Sequence, residues 1–136
     1  MKVGFIGLGN VGGKLAGSLI RNGVDTYVFD LNADFVAEKV AAGARDGQSA
    51  ANLMQVCDAV ITCLPTPAAS SAVVQEMLPH VTAGKVWMEM STTDAEEVKR
   101  LSALVIEAGG EAVDCPVSGG CHRADTGNIA IYAGCT

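Results

Sequence analysis

"GFIGLGNVGGKLAGSLIRNG", residues 4 to 23, sets Gly7, Gly9 and Gly12 at the spacing G-x-G-x-x-G between an apolar run and a segment of helical character. The run "KVGFIG" (2–7) reads as a strand, and "VGGKLAGSLIRNG" (11–23) as a helix that Gly23 stops. The spacing alone is weak evidence, because glycines gather in many tight turns. At a strand-to-helix junction each glycine gains a separate use. Gly7 permits the sharp turn, Gly9 lets backbone approach a pyrophosphate, and Gly12 lets helix and strand pack closely. The helix start then offers free N–H groups and the positive end of its dipole to an anion. Gly7, Leu8, Gly9, Asn10, Val11 and Gly12 are therefore the first candidate cofactor residues. The competing reading is a turn that is glycine-rich only for packing.

Outward from this turn, short β-rich runs alternate with longer helical ones. Strands are expected over 25–30, 59–65, 85–90 and 111–117, and helices over 33–44, 49–57, 68–81 and 94–109, with a last strand-like run "NIAIYAG" at 128–134. This alternation signals βαβ units and a parallel sheet. The strands are apolar along most of their length rather than alternating, as expected where helices cover both faces. The fold class is α/β: a Rossmann-type, doubly wound, mostly parallel sheet with helices on both faces. No repeat or linker divides the chain, so one dinucleotide-binding domain is expected over 1–136. The longest expected loop is 116–127.

Asp30 ends the second expected strand, 18 residues past Gly12. The dinucleotide fold places an acid there against the adenosine ribose hydroxyls. A carboxylate at that point repels a 2′-phosphate, and neither Leu31 nor Asn32 supplies a cation to neutralise one. NAD is therefore favoured over NADP as cofactor, with Asp30 and Leu31 as candidate contacts. A bare capping role for Asp30 at the helix beginning near Ala33 is the alternative.

Composition narrows the partners. At 136 residues with 49% hydrophobic and 18% charged residues, the chain is long enough and apolar enough to bury a core. Its net charge of −6 argues against nucleic acid and anionic membrane surfaces. No apolar run approaches the roughly 20 residues of a membrane span, and the first residues lack a signal-peptide core, so a cytoplasmic location is expected. The five cysteines, Cys57, Cys63, Cys115, Cys121 and Cys135, contain no CxxC pair and read as reduced thiols. Cys115, Cys121 and His122 miss the spacings of a zinc site, so no metal is expected.

Three further segments, together with the glycine-rich turn, make the chain resemble the β-hydroxyacid dehydrogenases, whose members include 3-hydroxyisobutyrate dehydrogenase, tartronate semialdehyde reductase and, more distantly, 6-phosphogluconate dehydrogenase. Gly4 to Leu19 is similar to the family's opening pattern, with aliphatic residues in place of two methionines. Leu64-Pro65 looks like its L-P segment beside the nicotinamide. Ser91-Thr92 looks like its S-T segment, although Ala95 stands where a proline is usual. Asp114-Cys115-Pro116-Val117-Ser118-Gly119-Gly120 is similar to the substrate motif D-A-P-V-S-G-G.

The resemblance implies hydride transfer between a nicotinamide dinucleotide and a small 3-hydroxy acid. Leu64, Pro65 and Thr92 would join the cofactor residues. Ser118, Gly119 and Gly120 would hold the substrate carboxylate, a role that two glycines and a hydroxyl suit physically. Arg123 stands where the family has glycine; it either strains the loop or contributes to an acidic substrate. His122 invites a proton-transfer role but reads more simply as a solvated loop residue.

The family's general acid/base is a lysine on a helix that follows the dinucleotide domain, before an all-helical C-terminal domain. Lys2, Lys14, Lys39, Lys85 and Lys99 do not occupy that position, so no catalytic residue is assigned and poor turnover is expected of this chain by itself. The strand-like run at 128–134 is expected to leave apolar surface open and to build a homodimer. The alternatives are a stand-alone nucleotide-binding or regulatory module, and a decayed, non-functional product.

Overall fold

Val3, Phe5 and Ile6 are buried within the first strand, β1 (Lys2–Ile6), which lies at the centre of a six-stranded sheet. The computed structural model describes residues 1–134. Around β1 stand β2 (Asp25–Phe29), β3 (Arg45–Asp46), β4 (Ala59–Thr62), β5 (Val86–Glu89) and β6 (Glu111–Asp114). Their order is β3-β2-β1-β4-β5-β6, and every pairing is parallel. The order reverses direction at β1 and β4, which opens a crevice beyond their carboxyl ends, where such sheets bind ligands.

The side chains of successive strand residues fall into two separate cores, as the two-residue period requires. Val3, Phe5, Val28 and Ile61 face the helices α1 (Asn10–Arg21), α2 (Ala33–Ala41) and α6 (Gly120–Thr126). Ile6, Val60 and Trp87 face α3 (Ala50–Val56), α4 (Pro67–Met77) and α5 (Ala95–Glu107). β4 is buried along its whole length, while edge strand β6 is only half-buried. Expectation and structure agree on the doubly wound α/β sheet with helices on both faces.

Local chemistry sets the helix ends. The Asn32 side chain accepts from the Asp34 N–H at 3.0 Å, so Asn32 and not Asp30 caps α2. Thr66 caps α4 and is followed by Pro67, whose fixed φ suits a first helical turn. Asp94 caps α5 through the Glu96 N–H. Helix α4 stops at Met77 rather than continuing to 81, because Pro79 supplies no N–H; residues Leu78–His80 form a 3-10 turn instead.

Further differences from the sequence reading lie toward the end of the described residues. The stretch 116–127, expected as a loop, contains strand β7 (Val117–Ser118) and helix α6. The run at 128–134 does not extend the main sheet. Its β8 (Ala130–Ile131) pairs antiparallel with β7 in a separate two-stranded ribbon, and Gly134 bridges to Asp114. Ile131 and Tyr132 are exposed there. Cys135 lies outside the described residues. Among those residues no helix is long and apolar enough to cross a membrane, and no group of metal-ligating side chains gathers.

Candidate functional site

The three glycines of the turn are demanded by three different surroundings. Gly7 has φ of +97°, and a Cβ on it would run into the Cys63 carbonyl oxygen. A Cβ on Gly12 would run into the Gly7 carbonyl oxygen. Both positions are closed by the fold itself. Gly9 is the opposite case: its φ of −70° and ψ of −159° suit any residue, and a Cβ there would meet nothing within 4 Å. The fold leaves that space open, beside the first turn of α1, where Gly9 provides no side chain to cap the helix N–H groups.

Asp30 clamps the turn. Its Oδ2 accepts the Leu8 N–H at 2.7 Å and its Oδ1 accepts the Asn32 N–H at 2.8 Å. The Gly7 N–H donates to the Phe29 carbonyl at 3.1 Å. The turn after β1 is thus bound to the end of β2 through two hydrogen bonds, while the third fixes the Asp30 carboxylate from within its own segment. Each carboxylate oxygen keeps a further lone pair for a ligand hydroxyl. Leu8 turns its side chain into the core and is 4% exposed, so its contribution at the surface is backbone only.

On the other side of the crevice, the backbone at Leu64 is held by a chain of buried polar groups. Trp87 Nε1 donates to Thr62 Oγ1 at 3.0 Å, and Thr62 Oγ1 donates to Glu89 Oε1 at 3.0 Å. The Ser91 N–H donates to the same Glu89 oxygen at 2.9 Å, and Ser91 Oγ accepts the Leu64 N–H at 2.7 Å. Thr62 and Glu89 are fully buried, where low polarity strengthens each satisfied bond. The resemblance implies a cofactor contact for Thr92, but nothing in the residue pattern announces this relay.

These parts enclose a cavity of about 590 Å³. One wall is the turn, with Gly7, Gly9, Asn10, Val11 and Gly12; a second is Asp30, Leu31 and Phe35; a third is Cys63, Leu64 and Pro65. One face of α4 supplies the remainder, through Ala69, Ala72, Val73 and Glu76. The structure therefore brings nine of the sequence candidates together: Gly7, Gly9, Asn10, Val11, Gly12, Asp30, Leu31, Leu64 and Pro65. Thr92 is exposed and lies outside the lining, as do Ser118, Gly119 and Gly120. Phe35 and the α4 residues went unnoticed in the sequence; the i, i+3, i+4, i+7 spacing of 69, 72, 73 and 76 was the available signal.

Ser118 ends β7, and Gly119 and Gly120 follow with φ of +131° and +72°. These values explain the glycine pair at the entrance to α6. Arg123 is helical and causes no backbone strain, which removes the first of its two readings. Its side chain folds back over the preceding turn, so that a Cβ on Gly119 would lie 2.7 Å from Arg123 Cδ. Helix α6 rests on α1, and the Arg21 guanidinium reaches the Asp125 carbonyl oxygen. Burial raises the Asp114 carboxyl above its ordinary value.

Burial also pushes three thiols, Cys57, Cys63 and Cys115, from 9.0 to about 11. At Cys63 the neighbouring Glu89 charge adds to the effect. A folded-state value above the unfolded one stabilises the fold fully below pH 9.0, and that stabilisation is lost as pH rises through about 11. Urea midpoints are therefore expected to fall across this window, with thiolate-directed alkylation of these three cysteines at pH 8 slowed by about a hundredfold relative to an open thiol. Ordinary alkylation rates at Cys63 in the folded chain would contradict this.

Comparison with known proteins agrees with this geometry. The family described as the NAD binding domain of 6-phosphogluconate dehydrogenase matches residues 2–136. Mitochondrial 3-hydroxyisobutyrate dehydrogenase of Rattus norvegicus is 35% identical over 135 residues, which are 97% of this chain and 40% of that protein. Cytokine-like nuclear factor N-PAC of Homo sapiens is 30% identical over 135 residues, covering 97% of this chain and 24% of its own length. The solved 3-hydroxyisobutyrate dehydrogenase of Mycobacterium tuberculosis, with L-serine, superposes with a TM-score of 0.93 at 27% identity, over 98% of this chain and 46% of that one. The chain thus spans less than half the length of these relatives. A glycine turn, an acid at the end of β2 and a crevice at the sheet's reversal are the parts a dinucleotide needs, and the chain belongs to the family of the NAD binding domain of 6-phosphogluconate dehydrogenase.

Proposed function

We propose that this chain holds NAD(H) for reversible oxidation of a small 3-hydroxy acid, with NAD favoured over NADP. The observation that carries the reading is the open space over Gly9 beside the uncapped start of α1, in a turn whose other two glycines are closed by backbone. Gly9, Asn10, Val11 and Gly12 would face the pyrophosphate, and Asp30 with Leu31 the adenosine ribose. Leu64 and Pro65, with Thr92 beyond them, would lie on the nicotinamide side. When bound, the nicotinamide supplies or accepts the hydride. Ser118 and the N–H groups of Gly119 and Gly120 would anchor the substrate carboxylate.

The residues fit that cofactor chemically. The Asp30 carboxylate is fixed in place by two backbone donors, so it cannot swing aside cheaply for a 2′-phosphate. Direct titration is expected to give NADH affinity at least about tenfold above that for NADPH, with Asp30→Asn reducing the difference to a few-fold, as loss of a charge repulsion at contact distance requires. Equal affinity for both in the unaltered chain would remove the preference for NAD.

Proton transfer needs a base, and among the described residues no lysine lines the cavity. Lys85 is committed to the Cys57 carbonyl at 2.7 Å, and Lys39 and Lys99 to Glu38 and Glu96. This supports dinucleotide binding without efficient turnover by these residues alone, and it keeps a nucleotide-binding module as the second reading. Sustained oxidation of short 3-hydroxy acids by the chain would decide against both points. The exposed Ile131 and Tyr132 support a homodimer through residues 128 to 134; sedimentation at micromolar concentration is expected to give a dimer, and a monomer there would remove it.

A further inference from the structure

The base-binding end of the cavity carries its own chemistry, distinct from that of the turn. With pyrophosphate at Gly9 and ribose at Asp30, the purine of a dinucleotide would continue past Asp30, toward the part of the cavity lined by Phe35 and Leu31 on one side and α4 on the other. Ala69, Ala72 and Val73 give that side an apolar face. Glu76, one turn beyond Val73 on the same face of α4, is the only polar α4 side chain in the lining. Its Oε1 accepts the Ala51 N–H at the start of α3, at 3.3 Å, which orients the carboxylate and leaves Oε2 with no protein donor among the described residues. A carboxylate accepts hydrogen bonds and donates none.

We propose that Glu76 reads the exocyclic amine of the purine and so selects adenine over a base that carries a carbonyl at the same carbon. The inference rests on the dinucleotide reading above. An amine at the far edge of the ring supplies the donor that Glu76 Oε2 lacks. A carbonyl there brings two acceptors together, and that repulsion is felt most in a slot with apolar walls. Glu76 itself is exposed, so its substitution has little to disturb in the core.

The experiment is fluorescence titration of the full chain with NADH and with reduced nicotinamide hypoxanthine dinucleotide, in which a carbonyl replaces the amine. The unaltered chain is expected to bind NADH roughly 3- to 10-fold more tightly, the range of one partly exposed hydrogen bond. Glu76→Ala should bring the two affinities within about twofold, mainly by weakening NADH. Glu76→Gln should also abolish the difference, but by strengthening the hypoxanthine dinucleotide, because an amide can turn its N–H₂ toward the carbonyl. Equal affinities in the unaltered chain, or an unchanged ratio in Glu76→Ala, would overturn the assignment of Glu76 alone. Failure to bind either dinucleotide would overturn the dinucleotide reading as well.

Discussion

Gly9→Ala should leave the unfolding midpoint within the scatter of the unaltered chain and weaken NADH binding by about a hundredfold or more. The backbone at Gly9 already has dihedrals that alanine adopts, and the added methyl meets no protein atom within 4 Å. The cost therefore falls on a ligand that needs the same space. A displaced pyrophosphate loses several charge-assisted contacts to backbone N–H groups together, each worth about 1.5 to 3 kcal/mol. Gly7→Ala and Gly12→Ala should behave in the reverse order. Each puts a methyl into a carbonyl oxygen, at Cys63 or at Gly7, and Gly7 adds a left-handed φ. Both should lower stability by roughly 3 kcal/mol or more, in the range of overpacking combined with strain. Urea denaturation and NADH titration on the three variants separate the effects. If Gly9→Ala binds NADH normally, the pyrophosphate does not lie over Gly9 and the proposed function falls with it.

Trp87→Ala should destabilise the fold by about 4 kcal/mol, the usual cost of emptying a large buried aromatic site. Trp87 is fully buried on β5, among the residues that face α3, α4 and α5. Its indole N–H is also the first donor of the relay that ends at Leu64. Trp87→Phe retains most of the volume and loses that donor, and about 1 to 2 kcal/mol is expected from it. Because Trp87 is the sole tryptophan of the chain, the measurement should follow helix content by circular dichroism in urea. An alanine variant within 1 kcal/mol of the unaltered chain would show that the layer of α3, α4 and α5 collapses onto the gap.

The sheet and the glycine turn were legible because they rest on local rules. Glycine spacing, a strand before it, a helix after it and an acid past the next strand leave few other folds. Pro79 and the 3-10 turn beyond α4 also follow from a local rule, though reading 68–81 as one helix overlooked it. Elements with little apolar signal were not legible. Strand β3 is two residues, Arg45 and Asp46, both exposed, and owes its place to pairing with Tyr27 and Val28. Helix α6 is short and polar, with Ala124 as its buried residue, so adjacent glycines and charges read as loop. The sequence offers Asp30 as the cap of α2, but its carboxylate holds the Leu8 and Asn32 amides and Asn32 caps the helix instead, a difference only tertiary placement of Leu8 makes visible. The relay through Glu89 joins two strands and two loops across 27 residues of sequence, which no single-segment pattern encodes.

The Asp30 carboxylate holds the Leu8 and Asn32 amides while facing the cavity. That double duty constrains how this lineage can change the residue at position 30. Exchanging the acid for a small neutral residue orphans two backbone donors at the mouth of the crevice. An intermediate sequence would have to survive with a loosened turn before gaining anything in return. Loss of the acid therefore runs through a narrow passage, open only to sequences that first acquire a second acceptor for the Leu8 amide or stability to spare.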